Sequence, residues 1–408
     1  MNKISDIETI RSLFPALEQT VNSRKLVYLD NGATAQKPKQ VIDMVNLMNS
    51  GVNGNIHRAV HELSSKTTEL YEESREVTRK FINAAHREEI VFTSGTTASI
   101  NLVAASFGGK YLRKGDSVLV SESEHHSNIV PWQLICQSKE ANLKVIPVDE
   151  NGNWRMEMLD NLLDSSVKIV SISHISNVLG LINPVEELIF KAHTKGIPVL
   201  IDGAQSIVHI ETDVRKLDCD FYVFSGHKLY GPTGTGVLYG KREILDSMPP
   251  WMGGGDMVET VTFEKTTYAP LPLKFEAGTP NFIGAAAMAE AIRFVESIDR
   301  KFLDKMEQSI VDYMTEELLK IEGLRLYGKG DKKISLFSFT VNGAHPSDLA
   351  MIMDKMGVAL RSGQMCAEPL MRRFGVEAML RASFAAYNTI EEAEYFIASL
   401  KRAIKMLS

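Results

Sequence analysis

Phe221-Tyr222-Val223-Phe224-Ser225-Gly226-His227-Lys228-Leu229-Tyr230-Gly231-Pro232 is an apolar run of strand type that delivers a serine, a histidine and a lysine to its carboxyl end. In α/β sheets ligands bind just beyond the carboxyl ends of the strands, which is where this reading puts Lys228. A lysine partly desolvated in such a crevice has a lowered pKa and forms a Schiff base with an aldehyde, whereas the same lysine on open surface is only solvated charge. A second run, Pro198-Val-Leu-Ile-Asp202-Gly-Ala-Gln205, ends in a carboxylate able to keep a heteroaromatic nitrogen protonated, or simply to start a turn. A third, Ile90-Val-Phe-Thr-Ser94-Gly95-Thr96-Thr97, passes through a glycine turn into two threonines that open a helix. Free N–H groups and hydroxyls at such a point suit an anion, and alone they make a good cap. Glu124-His125-His126 follows the run at 117–121 and brings imidazoles to the same edge; no third ligand at metal spacing accompanies them.

Outward from these segments the chain alternates short apolar runs with amphipathic stretches. Strands are expected at 27–30, 90–94, 117–121, 143–148, 167–173, 198–202 and 221–225. Helices are expected between them, among them 67–83 with Leu70, Val77 and Phe81 on one face, and 185–195 after Pro184. Strand–helix alternation predicts an α/β layer structure around a mainly parallel sheet. Past Ala277 the pattern changes to long helices at 282–298 and 301–321, strands at 334–341, 358–361 and 380–386, and helices at 346–356 and 390–407. That predicts a smaller α+β unit with an antiparallel sheet, approached through an irregular, glycine- and proline-rich segment at 253–272. The expected division is a large domain over 20–275 and a small domain made of 1–19 and 276–408.

The 408 residues are 44% hydrophobic and 24% charged, with a net charge of −6. No basic block speaks for nucleic acid and no long apolar run for a membrane span. The first residues lack an apolar signal core, so a cytoplasmic protein is expected. Three scattered cysteines, Cys136, Cys219 and Cys366, exclude a disulfide framework and any CxxC motif. Gly234-Thr-Gly236 lacks the third glycine of a dinucleotide fingerprint, and the chain has no phosphate loop of GxxxxGK type and no GxSxG elbow.

Taken in order, these segments resemble the aminotransferase class V group of pyridoxal phosphate enzymes, and within it the group II cysteine desulfurases of the SufS and CsdA type. The resemblance runs through Tyr28-Leu-Asp-Asn31, Asn55-Ile-His-Arg58, Ser94-Gly-Thr-Thr97, Glu124-His-His-Ser-Asn128, Ser173-His-Ile-Ser-Asn177, Ser225-Gly-His-Lys228, Phe275-Glu-Ala-Gly-Thr-Pro280, Arg361-Ser-Gly-Gln-Met-Cys366 and Arg381-Ala-Ser383. It implies the fold type I of pyridoxal phosphate-dependent transferases, with a mainly parallel seven-stranded sheet in the large domain and a smaller α+β C-terminal domain. It implies pyridoxal 5'-phosphate as cofactor, joined to Lys228; from the ligand spacing no metal is expected. Asp202 would face the pyridine nitrogen, Gln205 the phenolic oxygen, and His125 the ring face. Thr96, Thr97, Ser225 and His227 would hold the phosphate, with Thr279 reaching the phosphate of the other subunit of a homodimer. Arg381 would bind the substrate carboxylate as a bidentate pair, assisted by Asn177, and His57 and Arg58 would stand near the entrance. Cys366 would take sulfur from L-cysteine as a persulfide, with Arg361 close enough to favour its thiolate.

Ala98 stands where these enzymes commonly carry glutamate, Gln364-Met365 where many carry histidine, and Gly32 where alanine is usual. The resemblance implies transfer of sulfur to an acceptor protein of the SufE or SufU kind, for iron–sulfur cluster assembly or another sulfur-transfer pathway. A selenocysteine lyase or another amino-acid lyase of the class V group, acting on L-selenocysteine or a similar substrate, is the alternative, followed by a non-catalytic sulfur-relay subunit. Cys136 and Cys219 read as small buried hydrophobes.

Overall fold

In the computed structural model, which describes residues 3–57, 60–330 and 332–407, the most apolar runs become one seven-stranded sheet. Its strands in chain order are β1 (Ile90–Thr93), β2 (Ser117–Ser121), β3 (Asn142–Ile146), β4 (Val167–Ser173), β5 (Val199–Asp202), β6 (Phe221–Ser225) and β7 (Gly236–Gly240). Across the sheet they lie in the order β1-β7-β6-β5-β4-β2-β3. The five from β3 to β6 pair in parallel, and β7 runs antiparallel to both its neighbours. Every residue of β2, β5 and β6 is buried, because layers cover both faces of the sheet; that is why these strands read as unbroken apolar runs.

The mainly parallel α/β sheet is the expected one, but its membership differs at one strand. The run at 27–30 does not join it. Val27–Tyr28 pairs in parallel with Val358–Ala359, and Val27 and Leu29 are buried with Phe337, Phe339, Leu380 and Phe396 of the C-terminal part. The seventh place goes to β7, which borders β1 and β6. The expected strand at 358–361 divides in two: Val358–Ala359 meets Val27–Tyr28, while Arg361–Gly363 enters the smaller sheet.

That smaller sheet contains β8 (Leu324–Tyr327), β9 (Leu336–Val341), β10 (Arg361–Gly363) and β11 (Met379–Ser383), all antiparallel in the order β8-β9-β11-β10. A hairpin, Val258–Val261 with Thr266–Tyr268, occupies the segment expected to be irregular.

The helices include α1 (Glu62–Phe81), α2 (Thr96–Val103), α3 (Val185–His193), α4 (Phe282–Ser297), α5 (Glu368–Phe374) and α6 (Ile390–Leu407). Helix α1 starts earlier than expected because the His61 ring caps it, Nδ1 accepting from the Ser64 N–H at 3.2 Å. Its most buried face is polar and small, with Ser64, Thr67, Ser74 and Thr78 beside Tyr71 and Arg75. This face lies against the alanine-rich helix α4, where short side chains let two helices approach closely. Val77 and Phe81 touch the edge of the main core, and Leu70 is only half-buried.

Candidate active site

The carboxyl ends of β4, β5 and β6 and the loop after β2 converge on a cavity of about 310 Å³, closed on its far side by the loop after β10 and by β11. Lys228 ends the short turn that follows β6. Its side chain reaches the cavity and makes no hydrogen bond to another described residue. Burial pushes its pKa down to about 8; the Asp202 carboxylate and Cys366 oppose this, and Arg381 adds to it. Asp202 is buried at the end of β5. One of its oxygens accepts from the Ala204 N–H at 2.9 Å, and burial raises its pKa against that bond and against the charge of Lys228.

Beside the lysine, Ser225 Oγ accepts from the Thr96 N–H at 2.8 Å and lies 2.8 Å from Thr96 Oγ1. Thr97 Oγ1 lies 2.7 Å from Ser127 Oγ. The N-cap residue Gly95 has no side chain, and beyond the Thr96 N–H taken by Ser225 the first turn of α2 presents N–H groups of the kind that hold a phosphate. The turn is set by a close crossing of two glycines: a Cβ on Gly236 would stand 2.4 Å from the Gly95 Cα. Gln205 lines the cavity with its Nε2 donating to the Gly32 carbonyl at 2.8 Å. The His227 ring lines it too, its pKa lowered to about 4 by burial and by the charges of Lys228 and Lys37.

His125 follows β2 at the same edge. Its Nδ1 accepts from the Ser127 N–H at 3.0 Å, so the ring proton belongs on Nε2. Burial first, then Lys228, His126 and Arg381, lower its pKa to about 3, and the ring is neutral at physiological pH. Arg381 comes from β11 and is 3% exposed. Its Nη1 donates to the Asn177 carbonyl at 2.8 Å and its Nη2 reaches Asp30 at 3.4 Å, while its buried Nε has no partner among the described residues. Arg361, more open, takes both oxygens of the same Asp30 at 3.2 and 2.8 Å. Asn177 in turn donates to the Met365 carbonyl at 2.8 Å. Cys366 is the exposed one of the three cysteines, and it lines the cavity together with Lys228, Arg381 and Arg361. Cys136 and Cys219 are buried, and burial raises both thiols.

The expected residues therefore meet, with three exceptions. His57 lies beside α1, 4.0 Å from Glu72 and edge-on to Tyr71, away from this cavity. Thr279 is exposed and also lies outside it. Arg58 lies outside the described residues. Sequence reasoning missed Asp30, the shared counter-ion of two arginines, and the roles of Ser127 and His126 in fixing loops. Glu124 stands out in the sequence only as part of its motif. It is buried, its pKa raised to about 7 by burial, and it accepts from Ser121 Oγ at 2.5 Å, Asn128 Nδ2 at 2.7 Å and the Ser173 N–H at 3.0 Å. It thus ties β2 to β4 beneath the cavity.

A phosphorylated pyridine aldehyde requires an amine, a carboxylate for its ring nitrogen, a flat neutral ring to stack on and an anion cradle. Each is present: an amine without a hydrogen bond on Lys228, the second oxygen of Asp202, the neutral His125, and the start of α2, where the N-cap residue is a glycine. The residues fit pyridoxal phosphate. Fold and cavity together define a protein of the pyridoxal phosphate fold type I.

The aminotransferase class-V family model matches residues 27–396. A probable cysteine desulfurase of Mycobacterium leprae is 47% identical over 402 residues, which is 98% of this chain and 66% of that longer relative. A cysteine desulfurase of Salmonella agona is 45% identical over 98% of this chain and 99% of its own length. The crystal structure of the cysteine desulfurase CsdA from Escherichia coli superposes with a TM-score of 0.92 at 38% identity, covering 99% of both chains. The chain belongs to the aminotransferase class-V family, whose members generally depend on pyridoxal phosphate.

Proposed function

We propose that this chain is a pyridoxal phosphate-dependent cysteine desulfurase that converts L-cysteine to L-alanine and keeps the sulfur as a persulfide on Cys366. The observation that carries this reading is a single cavity lined by a lysine of lowered pKa, a buried arginine with an unused donor and an accessible cysteine thiol. The reaction balances without an outside oxidant: L-cysteine and the Cys366 thiol give L-alanine and the Cys366 persulfide. The carbon–sulfur bond of the substrate breaks and a sulfur–sulfur bond forms.

Pyridoxal phosphate bound here supplies an electron sink for the substrate's α-carbon. Lys228 Nζ would hold that group covalently, and its amine is placed to serve as the base for the substrate's α-proton; a pKa of about 8 leaves a useful neutral fraction near neutrality. Asp202 would hold the pyridine proton, Gln205 would contact the phenolic oxygen, and Thr96, Thr97, Ser225 and His227 would surround the phosphate. His125 would stack on the ring and, protonated on Nε2, is placed to pass a proton on. Arg381 binds the substrate carboxylate, with Asn177 fixing the guanidinium through its carbonyl. The Cys366 Sγ takes the sulfur.

The same reading assigns residues 20–275, together with their cofactor, to one unit and gives residues 1–19 and 276–408, with Cys366 and Arg381, to a second. It includes a homodimer in which Thr279 serves the partner's site, a cytoplasmic setting that keeps thiols reduced, and delivery of sulfur to an acceptor protein. Among the described residues no helix is long and apolar enough to cross a membrane. The test is mass spectrometry of the Cys366 peptide after incubation with L-cysteine. One added sulfur and stoichiometric alanine are expected, whereas alanine production undiminished by Cys366→Ala would remove the persulfide step and leave an amino-acid lyase.

A further inference from the structure

Helix α5 begins two residues after Cys366, and its start lacks a cap of its own. The N-cap position is Ala367, which has no side-chain acceptor, and Pro369 has no N–H to satisfy. Leu370 and Met371 donate to the Ala367 carbonyl, so the first-turn N–H in need of an outside partner is that of Glu368. It donates to His126 Nε2 at 3.1 Å. The main-chain N–H of the same His126 donates to the Cys366 carbonyl at 2.7 Å. On the other side, Asn177 holds the Met365 carbonyl. Between these grips Met365 and Cys366 stand consecutively in the left-handed region, with φ of +52° and +54°, which residues other than glycine resist. Such a conformation persists only where its surroundings impose it. His126 does not itself line the cavity, unlike its neighbour His125.

We infer that His126 is the positioning residue for Cys366: its ring caps α5 from outside, its N–H pins the cysteine carbonyl, and together they keep Sγ turned into the cavity. This rests on the proposed function only for what Cys366 does there. It also gives the two adjacent histidines separate tasks, one at the face of the cofactor and one at the sulfur carrier.

The experiment uses the full-length holoprotein with His126→Phe, His126→Asn and His126→Gln. All three retain the main-chain N–H. Phenylalanine keeps the ring without an acceptor, asparagine is too short to reach Glu368, and glutamine brings a carbonyl oxygen to the place of Nε2. Two rates are read: alkylation of Cys366 by iodoacetamide, and single-turnover persulfide formation with L-cysteine. In the phenylalanine and asparagine variants alkylation should rise about fivefold as the loop loosens, and persulfide formation should fall about tenfold. KM should stay within about twofold and the cofactor absorbance should be unchanged, while His126→Gln recovers both rates to within about twofold. Equal rates for the phenylalanine and glutamine variants would overturn the inference, as would a loss confined to KM or to cofactor absorbance. If the unmodified protein forms no persulfide, the desulfurase reading fails, and the alkylation rates still decide the role of His126.

Discussion

Lys228 and Arg381 are two cations held in one cavity, and burial drives the pKa of each below its ordinary value. For Lys228 the consequence is kinetic. Only the neutral amine attacks an aldehyde, so capture of pyridoxal phosphate by the apoprotein should accelerate with rising pH and level off above about 8. Stopped-flow absorbance across that range checks this, and a rate flat from about pH 6.5 to 9 would contradict it. For Arg381 the consequence is selectivity. The guanidinium lines the cavity with a buried Nε lacking a partner among the described residues and with Asp30 only at 3.4 Å, so a ligand carboxylate would complete its acceptors. Arg381→Lys keeps the charge but loses the planar fork, and should raise KM for L-cysteine by about tenfold or more with a smaller change in kcat. Lys228, Asp202 and His125 were legible in the sequence because each stands where an apolar strand stops, and strand ends in such a sheet are site positions. The role of Asp30 was not. It too ends an expected strand, but it precedes the arginines it serves by most of the chain, and the pairing of Leu29 with both Ala359 and Ser383 brings it to them.

At the level of elements, the cavity end of the sheet is set by backbone contact and the opposite end by charge. Gly236 opens β7 directly against Gly95, so that α2 starts beside Ser225; a side chain there has backbone, not a flexible neighbour, to displace. Gly236→Ala should therefore cost about 1–3 kcal/mol by overpacking and weaken cofactor retention, both measurable by thermal melting with and without pyridoxal phosphate. This glycine reads in the sequence as part of a failed dinucleotide motif, because motif and close crossing use the same residue for different reasons. At the other end His193, the last residue of α3, lies 2.8 Å from Asp220 and 3.2 Å from Asp218, and Lys241 after β7 joins the same two acids at 3.2 and 2.6 Å. The bond to Asp220 raises the His193 pKa against partial burial. A raised pKa stabilises the fold fully below the ordinary imidazole value of 6.5, and the contribution fades as pH rises through the higher native value. The melting-temperature difference between the unmodified protein and His193→Gln should accordingly be larger near about pH 6 than near about pH 8.5. The opposite trend would show that the pair does not carry the difference.

For the whole molecule, the parallel sheet was legible because burial on both faces writes long apolar runs. The surface around α1 was not, because its buried face is built from serine, threonine and one arginine. That arginine, Arg75, gives two hydrogen bonds to Glu276 at 2.8 and 2.9 Å, and the same carboxylate accepts from Tyr71 Oη at 2.8 Å and from the Phe92 N–H at 2.7 Å. The buried pair fastens the chain just before Thr279 onto α1 and β1, and His57 sits edge-on to Tyr71 of the same helix. His57 and the segment leading to Thr279 are thus both held against α1, and neither residue lines the cavity of its own chain. Such placement has a use if a second copy brings its cavity there, as the proposed homodimer requires. Co-expressing Lys228→Ala and Thr279→Ala chains, each defective alone, tests this arrangement. A mixed dimer combines the lysine of one chain with the threonine of the other in one intact site and collects both defects in the second. With random pairing, about half the dimers are mixed and each carries one good site, so about a quarter of the unmodified activity should return. Activity no higher than the average of the two separate variants would mean that each chain completes its own site and that Thr279 works, if at all, within its own subunit.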